Sequence, residues 1–130
     1  MTSSSMRTKE IQMNSTIQDL TEATFTDAVS NGLTVVDFWA GWCGPCRAMA
    51  PQFERAAKLR PNYRFAKVDV DAEPVLAERF QIRSIPMLIV LRDGLPIAAQ
   101  AGVLRADQLV EALDRLVSGS SREDATEAAA

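Results

Sequence analysis

The 130-residue chain contains no histidine. That absence removes Ser-His and Cys-His nucleophilic catalysis, imidazole metal ligands and a histidine pH switch together. Cysteine is nearly absent as well. Cys43 and Cys46 are the two in the chain, too few for a four-cysteine zinc site or a disulfide-rich scaffold. No apolar run approaches the ~20 residues that span a bilayer, so no membrane association is expected. Neither sign of charge dominates: 14 Lys and Arg stand against 17 Asp and Glu, a net charge of −3. Without a basic stripe to neutralise phosphates, nucleic-acid binding is not expected. The N-terminal run MTSSSMRTKEIQMNS lacks the apolar segment of a secretory signal. The expectation is a soluble protein of the reducing cytoplasm, where a close cysteine pair is more often catalytic than structural.

What is present amounts to one domain, since domains cluster near ~100–150 residues. Residues 1–14 are polar and aperiodic, and residues 118–130 (SGSSREDATEAAA) lack large apolar side chains. Both are expected to be flexible extensions flanking a domain over 15–117, because they cannot offset the entropy of ordering.

Within that domain, helix-like and strand-like segments alternate. Residues 15–18 suit a short first strand. Thr21 is a candidate N-cap for a helix over 22–30, with Leu20 and Phe25 at hydrophobic-staple spacing. Residues 33–40 (LTVVDFWA) are apolar on both alternating faces, which suits a buried interior strand. A helix over 44–59 follows, with Met49, Phe53 and Ala57 on one face and Pro51 inside it. Residues 63–70 read as a strand, and Asp71 as a possible cap for a helix over 74–80. Residues 87–91 (MLIVL) and 96–101 flank Asp93-Gly94, a hairpin signal. Residues 106–117 are amphipathic. The order β-α-β-α-β-α-β-β-α predicts an α/β fold with a mixed central sheet and helices on both faces.

The chemistry concentrates in Trp42-Cys43-Gly44-Pro45-Cys46, between the buried strand and the proline-containing helix. Two intervening residues let the sulfurs meet across the first helical turn. At a helix N-terminus, unpaired N–H groups and the macrodipole favour a thiolate over a thiol, and the thiolate is the nucleophile. Cys43 is thereby the candidate attacking thiol. Cys46, one turn inward and expected to be less exposed, is the candidate resolving thiol. Pro45 fits the first turn, where its missing N–H costs nothing. Two incidental core cysteines, or an iron–sulfur cluster shared by two chains, are the weaker alternatives. Asp37 is an acid inside an apolar strand. Buried, it would resist ionisation; at a wet strand end it would be an ordinary solvated carboxylate.

The run Val36-Asp37-Phe38-Trp39-Ala40-Gly41-Trp42-Cys43-Gly44-Pro45-Cys46 resembles the active-site segment of the thioredoxin family. The resemblance continues at Ala50-Pro51, Ala66-Lys67-Val68-Asp69-Val70-Asp71, Ser84-Ile85-Pro86, Asp93-Gly94 and Ala101-Gly102, spanning about residues 15–117. It implies a thioredoxin fold with five strands in order 1-3-2-4-5 flanked by four helices. It implies a protein disulfide reductase that binds no cofactor or metal and cycles through a reversible Cys43–Cys46 disulfide. Asp37 would be the general base for Cys46, with Lys67 tuning its charge. On the residues alone, Lys67 reads equally well as an exposed lysine. Pro86 would be cis, leaving the Ile85 backbone to pair with an extended substrate, where an ordinary trans turn is the default. Trp42, Gly44, Pro45, Ile85, Gly102 and Val103 would form an apolar patch around Cys43, with Trp39 the core tryptophan. The implied partners are disulfide-containing client proteins and an NADPH-dependent thioredoxin reductase, the protein itself being a monomer. An oxidase or isomerase of the same fold, or a thioredoxin-like binding subunit without turnover, are the rival functions. Met87, Leu91 and Arg105 depart from the family pattern. At Arg105 a Ser or Thr cap is usual, so the last helix is expected to start less cleanly or to borrow Asp107.

Overall fold

A computed structural model describes residues 17–129, with side chains as far as Ser118. The extension at 1–14 lies outside the described residues, as do Ser15 and Thr16 of the expected first strand. In chain order the elements are β1 (Gln18–Asp19), α1 (Glu22–Ala28), β2 (Leu33–Trp39), α2 (Gly44–Leu59), β3 (Arg64–Asp69), α3 (Pro74–Arg79), β4 (Met87–Arg92), β5 (Leu95–Ala101) and α4 (Ala106–Ala129). The sheet order is β1-β3-β2-β4-β5, which is the expected thioredoxin fold.

β2 lies at the centre of the sheet because both of its faces are apolar. It runs parallel to β3, with Asp37 opposite Lys67, and antiparallel to β4, with Asp37 opposite Leu88. Alternation then divides the core into two layers. Val35, Phe65, Leu88 and Val90 point to one side and join Met49 and Phe53 of α2 and Leu109 and Leu113 of α4. Val36, Phe38, Ala66, Val68, Ile89 and Leu91 point to the other and join Phe25 of α1 and Leu76 of α3. Leu91, one of the departures from the family pattern, is fully buried there, and Met87 is half-buried against the same cluster.

Local signals account for most of the element ends. Thr21 caps α1 in a capping box with Thr24, and Leu20 and Phe25 are buried in one cluster, as the staple spacing requires. The β4–β5 hairpin turns at Asp93 and Gly94, with φ of 50° and 87°. Left-handed backbone at both central residues is the signature of a type I′ turn, and it favours glycine. Asp93 also ties the turn to the α1–β2 loop: its carboxylate accepts from Gly32 N (2.8 Å), and its own N–H donates to Gly32 O (2.9 Å).

Two caps differ from expectation. Asp71 does not cap α3. The N-cap is Glu73, without a side-chain cap bond, and the Glu73 carboxylate instead accepts from Glu22 N at the start of α1 (2.9 Å). The turn before α3 is held by Asp69, whose Oδ1 accepts from Asp71 N and Ala72 N. At α4, Asp107 provides no cap. Arg105 N donates to Gln108 Oε1 (3.0 Å), and Ala106 N donates to Gln52 Oε1 of α2 (2.8 Å). A neighbouring helix thus supplies the acceptor that Arg105 cannot.

The backbone of α4 stays helical to Ala129, beyond the expected end at Val117. The apolar face ends there, but Arg, Glu and Ala in the following run are strong helix formers.

Candidate active site

β2 delivers the chain to the top of the sheet, where Ala40, Gly41 and Trp42 lead into α2. Cys43 is the N-cap of α2 (φ −91°, ψ 111°), and Pro45 lies in its first turn. Extended backbone at the cap aims the Cys43 side chain back over the helix end. There its Sγ accepts a hydrogen bond from Cys46 N at 3.2 Å. This is an N-cap interaction with sulfur in place of the usual oxygen. Cys43 and Cys46 form a disulfide, with Cα atoms 5.2 Å apart. Their exposures are 4% and 3%, so the expected difference in accessibility is almost absent in the disulfide form. In the disulfide, Cys43 packs with Ala40 and Cys46, and Trp39, Val70 and Ile85 lie around them.

The segment before β4 faces this pair. The Ile85–Pro86 peptide is cis, and the Ile85 carbonyl oxygen lies 3.8 Å from Cys43 Sγ. Ile85 itself lies outside any strand. Pro86 O accepts from Gly102 N (3.0 Å), so Gly102 and Val103 are held beside the same loop. Gly102 has a φ of 92°, a conformation that a side chain would oppose. Gly44, Pro45 and Val103 are exposed, and Ile85 and Gly102 half-buried. Trp42 is 68% exposed, and its Nε1–H donates to Asp71 Oδ2 (2.8 Å). The structure thus brings the expected patch residues to the same end of the sheet as the cysteines.

Asp37 lies on the face of β2 that α2 covers. Its neighbours on that face are Val35, in the core with Met49 and Phe53, and Trp39, packed around the cysteines. It is 1% exposed, and neither carboxylate oxygen has a hydrogen-bond partner. Burial pushes its pKa up from 3.8 to about 6, against a smaller opposing pull from the Lys67 ammonium. Of the two readings of Asp37, the buried one holds and the wet strand end does not: α2 covers the carboxyl from bulk solvent. Lys67 is half-buried rather than free at an edge, and its Nζ lies 4.5 Å from the centroid of the Trp39 ring. Trp39 is half-buried, not fully in the core, and its buried Nε1 has no hydrogen-bond partner.

Both the pattern and the resemblance missed three contacts. Trp42 with Asp71 spans 29 residues, and nothing in the spacing announces it. Arg47, next to Cys46, donates from Nη1 to Gly41 O (2.7 Å) and braces the active-site loop. The Lys67–Trp39 stack depends on register between β2 and β3, which only the folded sheet defines.

The Thioredoxin family profile matches residues 16–115. The chain belongs to the thioredoxin family. A thioredoxin from Staphylococcus aureus is 41% identical over 100 residues, covering 76% of this chain and 96% of that one. A putative thioredoxin 2 from Streptomyces coelicolor is 41% identical over 102 residues, 78% of this chain and 75% of that one. Thioredoxin C-3 from Corynebacterium nephridii is 40% identical over 99 residues, 75% and 68%. Thioredoxins are protein disulfide oxidoreductases, and the Cys43–Cys46 disulfide is the redox couple that dithiol–disulfide exchange requires. Among the described residues, no group of three or more His, Cys, Asp or Glu is placed to hold a metal ion. Nor is any helix among them long and apolar enough to cross a membrane.

Proposed function

We propose that this protein reduces disulfides in client proteins, with Cys43 attacking and Cys46 resolving. The observation that carries this reading is the Cys46 N–H donating to Cys43 Sγ at the head of α2. That donor and the helix macrodipole stabilise negative charge on the Cys43 sulfur once the disulfide is open.

The Cys43 thiolate attacks one sulfur of the client disulfide. The client S–S bond breaks, and its other sulfur leaves as a thiolate that takes a proton from water. Asp37 then accepts the proton of the Cys46 thiol, through water. Burial raises the Asp37 pKa to about 6, which brings it close to the operating pH, where a carboxylate can both accept and release a proton. The Cys46 thiolate attacks Cys43 Sγ, the mixed disulfide breaks, and the second client thiolate departs. Two electrons have passed to the client, and the Cys43–Cys46 disulfide is restored. Lys67 moderates the charge on Asp37.

Trp42, Gly44, Pro45, Ile85, Gly102 and Val103 form the client-binding surface. It is apolar with few projecting side chains, which suits weak docking of many partners, and an extended client segment pairs with the Ile85 backbone. A thioredoxin reductase drawing on NADPH returns the spent disulfide to the dithiol. The protein works in the cytoplasm as a monomer, its one core closed between two helical layers.

The test is turnover of insulin disulfides with dithiothreitol as donor. Wild type is expected to be active, Cys43→Ser inactive, and Cys46→Ser trapped as a mixed disulfide with client. Undiminished activity in Cys43→Ser would contradict the mechanism. A reduction potential well above the cytosolic glutathione poise would reverse the assigned direction of electron flow.

A further inference from the structure

Three unpartnered buried polar atoms gather on one face of β2: Oδ1 and Oδ2 of Asp37 and Nε1 of Trp39. Residues two apart on a strand share a face, so these side chains are neighbours beneath the start of α2. Directly across the ladder, Lys67 pairs in register with Asp37. Its flexible stem can carry the ammonium toward the carboxylate, out to water, or over the tryptophan. The ammonium lies over the ring, 4.5 Å from its centroid, and makes no ion pair with Asp37 within 4 Å. A half-buried indole face is a strong seat for an ammonium.

The other neighbours of Asp37 offer little competing charge. β4 presents Leu88, and α2 brings the uncharged Cys46 in its disulfide. Asp19 of β1 stands opposite Lys67, and Asp69 lies two residues on along β3. Lys67 is the cation that acts on Asp37 through space.

We propose that Trp39 is a positioning residue whose ring seats the Lys67 ammonium at a fixed remove from Asp37 and thereby governs proton exchange at that carboxyl. The proposal rests on the reading of Asp37 as the proton acceptor of the site, and adds to it the group that holds the acceptor's counter-charge. Over the ring, the ammonium is near enough to favour the carboxylate. It is also too far to neutralise it as a salt bridge, which would leave a poor base. Without the ring, the ammonium gains more by moving to water, and Asp37 keeps the penalty of burial with less compensation.

The experiment is a carbon NMR titration of the Asp37 carboxyl in the disulfide form, where neither cysteine titrates. Lys67→Met is expected to raise the Asp37 midpoint by about one pH unit, a tenfold gain in proton affinity. Trp39→Leu is expected to raise it comparably, although it removes no charge. In the double variant the rise should be no larger than in either single variant, because both act through one cation. An unchanged or lowered midpoint in Trp39→Leu would overturn the proposal, as would two shifts that simply add. If Trp39→Leu does not fold, Trp39→Phe takes its place, since a phenyl ring seats a cation more weakly. Its expected rise is smaller than that of Lys67→Met and absent when Lys67 is already Met; no rise in Trp39→Phe would overturn the proposal. The titration needs no turnover. If Asp37 is not the base, resolution rates will ignore the midpoint while the coupling between Trp39 and Lys67 persists.

Discussion

The indole N–H of Trp42 donates to Asp71 Oδ2 at 2.8 Å, tying an exposed ring of the active-site loop to the turn after β3. A tryptophan so open to solvent would otherwise sample several rotamers, and a client would have to immobilise it. Fixing the ring in advance lowers that entropic cost. Asp71→Ala should therefore raise KM for a protein client severalfold, since one such hydrogen bond contributes about 1 kcal/mol. Alkylation of reduced Cys43 at neutral pH should stay unchanged. Steady-state insulin reduction beside an alkylation assay separates the two effects.

Asp37 should make the protein less stable at neutral pH. Its folded pKa of about 6 lies above the unfolded 3.8, so the folded state binds the proton more tightly. The group is neutral in both states below the unfolded value and imposes no penalty there. The penalty grows as pH rises through the folded value, reaching about 3 kcal/mol at pH 7 as an order of magnitude. Asp37→Ala is expected to raise the denaturation midpoint of the disulfide form at pH 7, and to lose that advantage below pH 4. Urea melts at the two pH values measure it. The same variant should slow release of the mixed disulfide, since the proton acceptor for Cys46 is gone.

Two ties bind α2 to α4. Gln52 Oε1 accepts from Ala106 N, and Arg60 holds Asp114 through Nε and Nη2 while Tyr63 Oη donates to the same carboxylate at 3.0 Å. Arg60 holds the Asp114 carboxyl below its usual range. A lowered folded pKa stabilises the fold above the unfolded value and is lost as pH falls through the folded one. Asp114→Asn should thus lower Tm by a few degrees at pH 7, with the difference fading as the medium becomes strongly acidic. The groups are partly exposed, so salt should shrink the effect. Calorimetry at two pH values and two ionic strengths tests this.

Where local chemistry decides structure, the sequence was enough. The apolar character of both faces of 33–40 marked β2 as an interior strand. Thr21 announced a capping box, and Asp93-Gly94 announced a hairpin. Contacts between distant segments were harder to read. Asp71 resembled a helix cap because it precedes α3, yet tertiary packing gave it to Trp42 and gave the cap position to Glu73. Gln52 carries no signal that it will serve the N-terminus of another helix. The depth of Asp37 depends on α2 lying over β2, which pattern alone left undecided. The similar burial of the two cysteines belongs to the disulfide form, a state that residue order does not specify.

Disulfide exchange by this site depends on negative charge being stabilised on the Cys43 sulfur at the start of α2. The most direct measurement is the rate of iodoacetamide alkylation of the reduced protein at pH 7, with the modified residue located by mass spectrometry. Cys43 should react first, about tenfold or more faster than free cysteine, because more of it is thiolate. Reaction at Cys43 no faster than free cysteine, or preferential reaction at Cys46, would contradict the account.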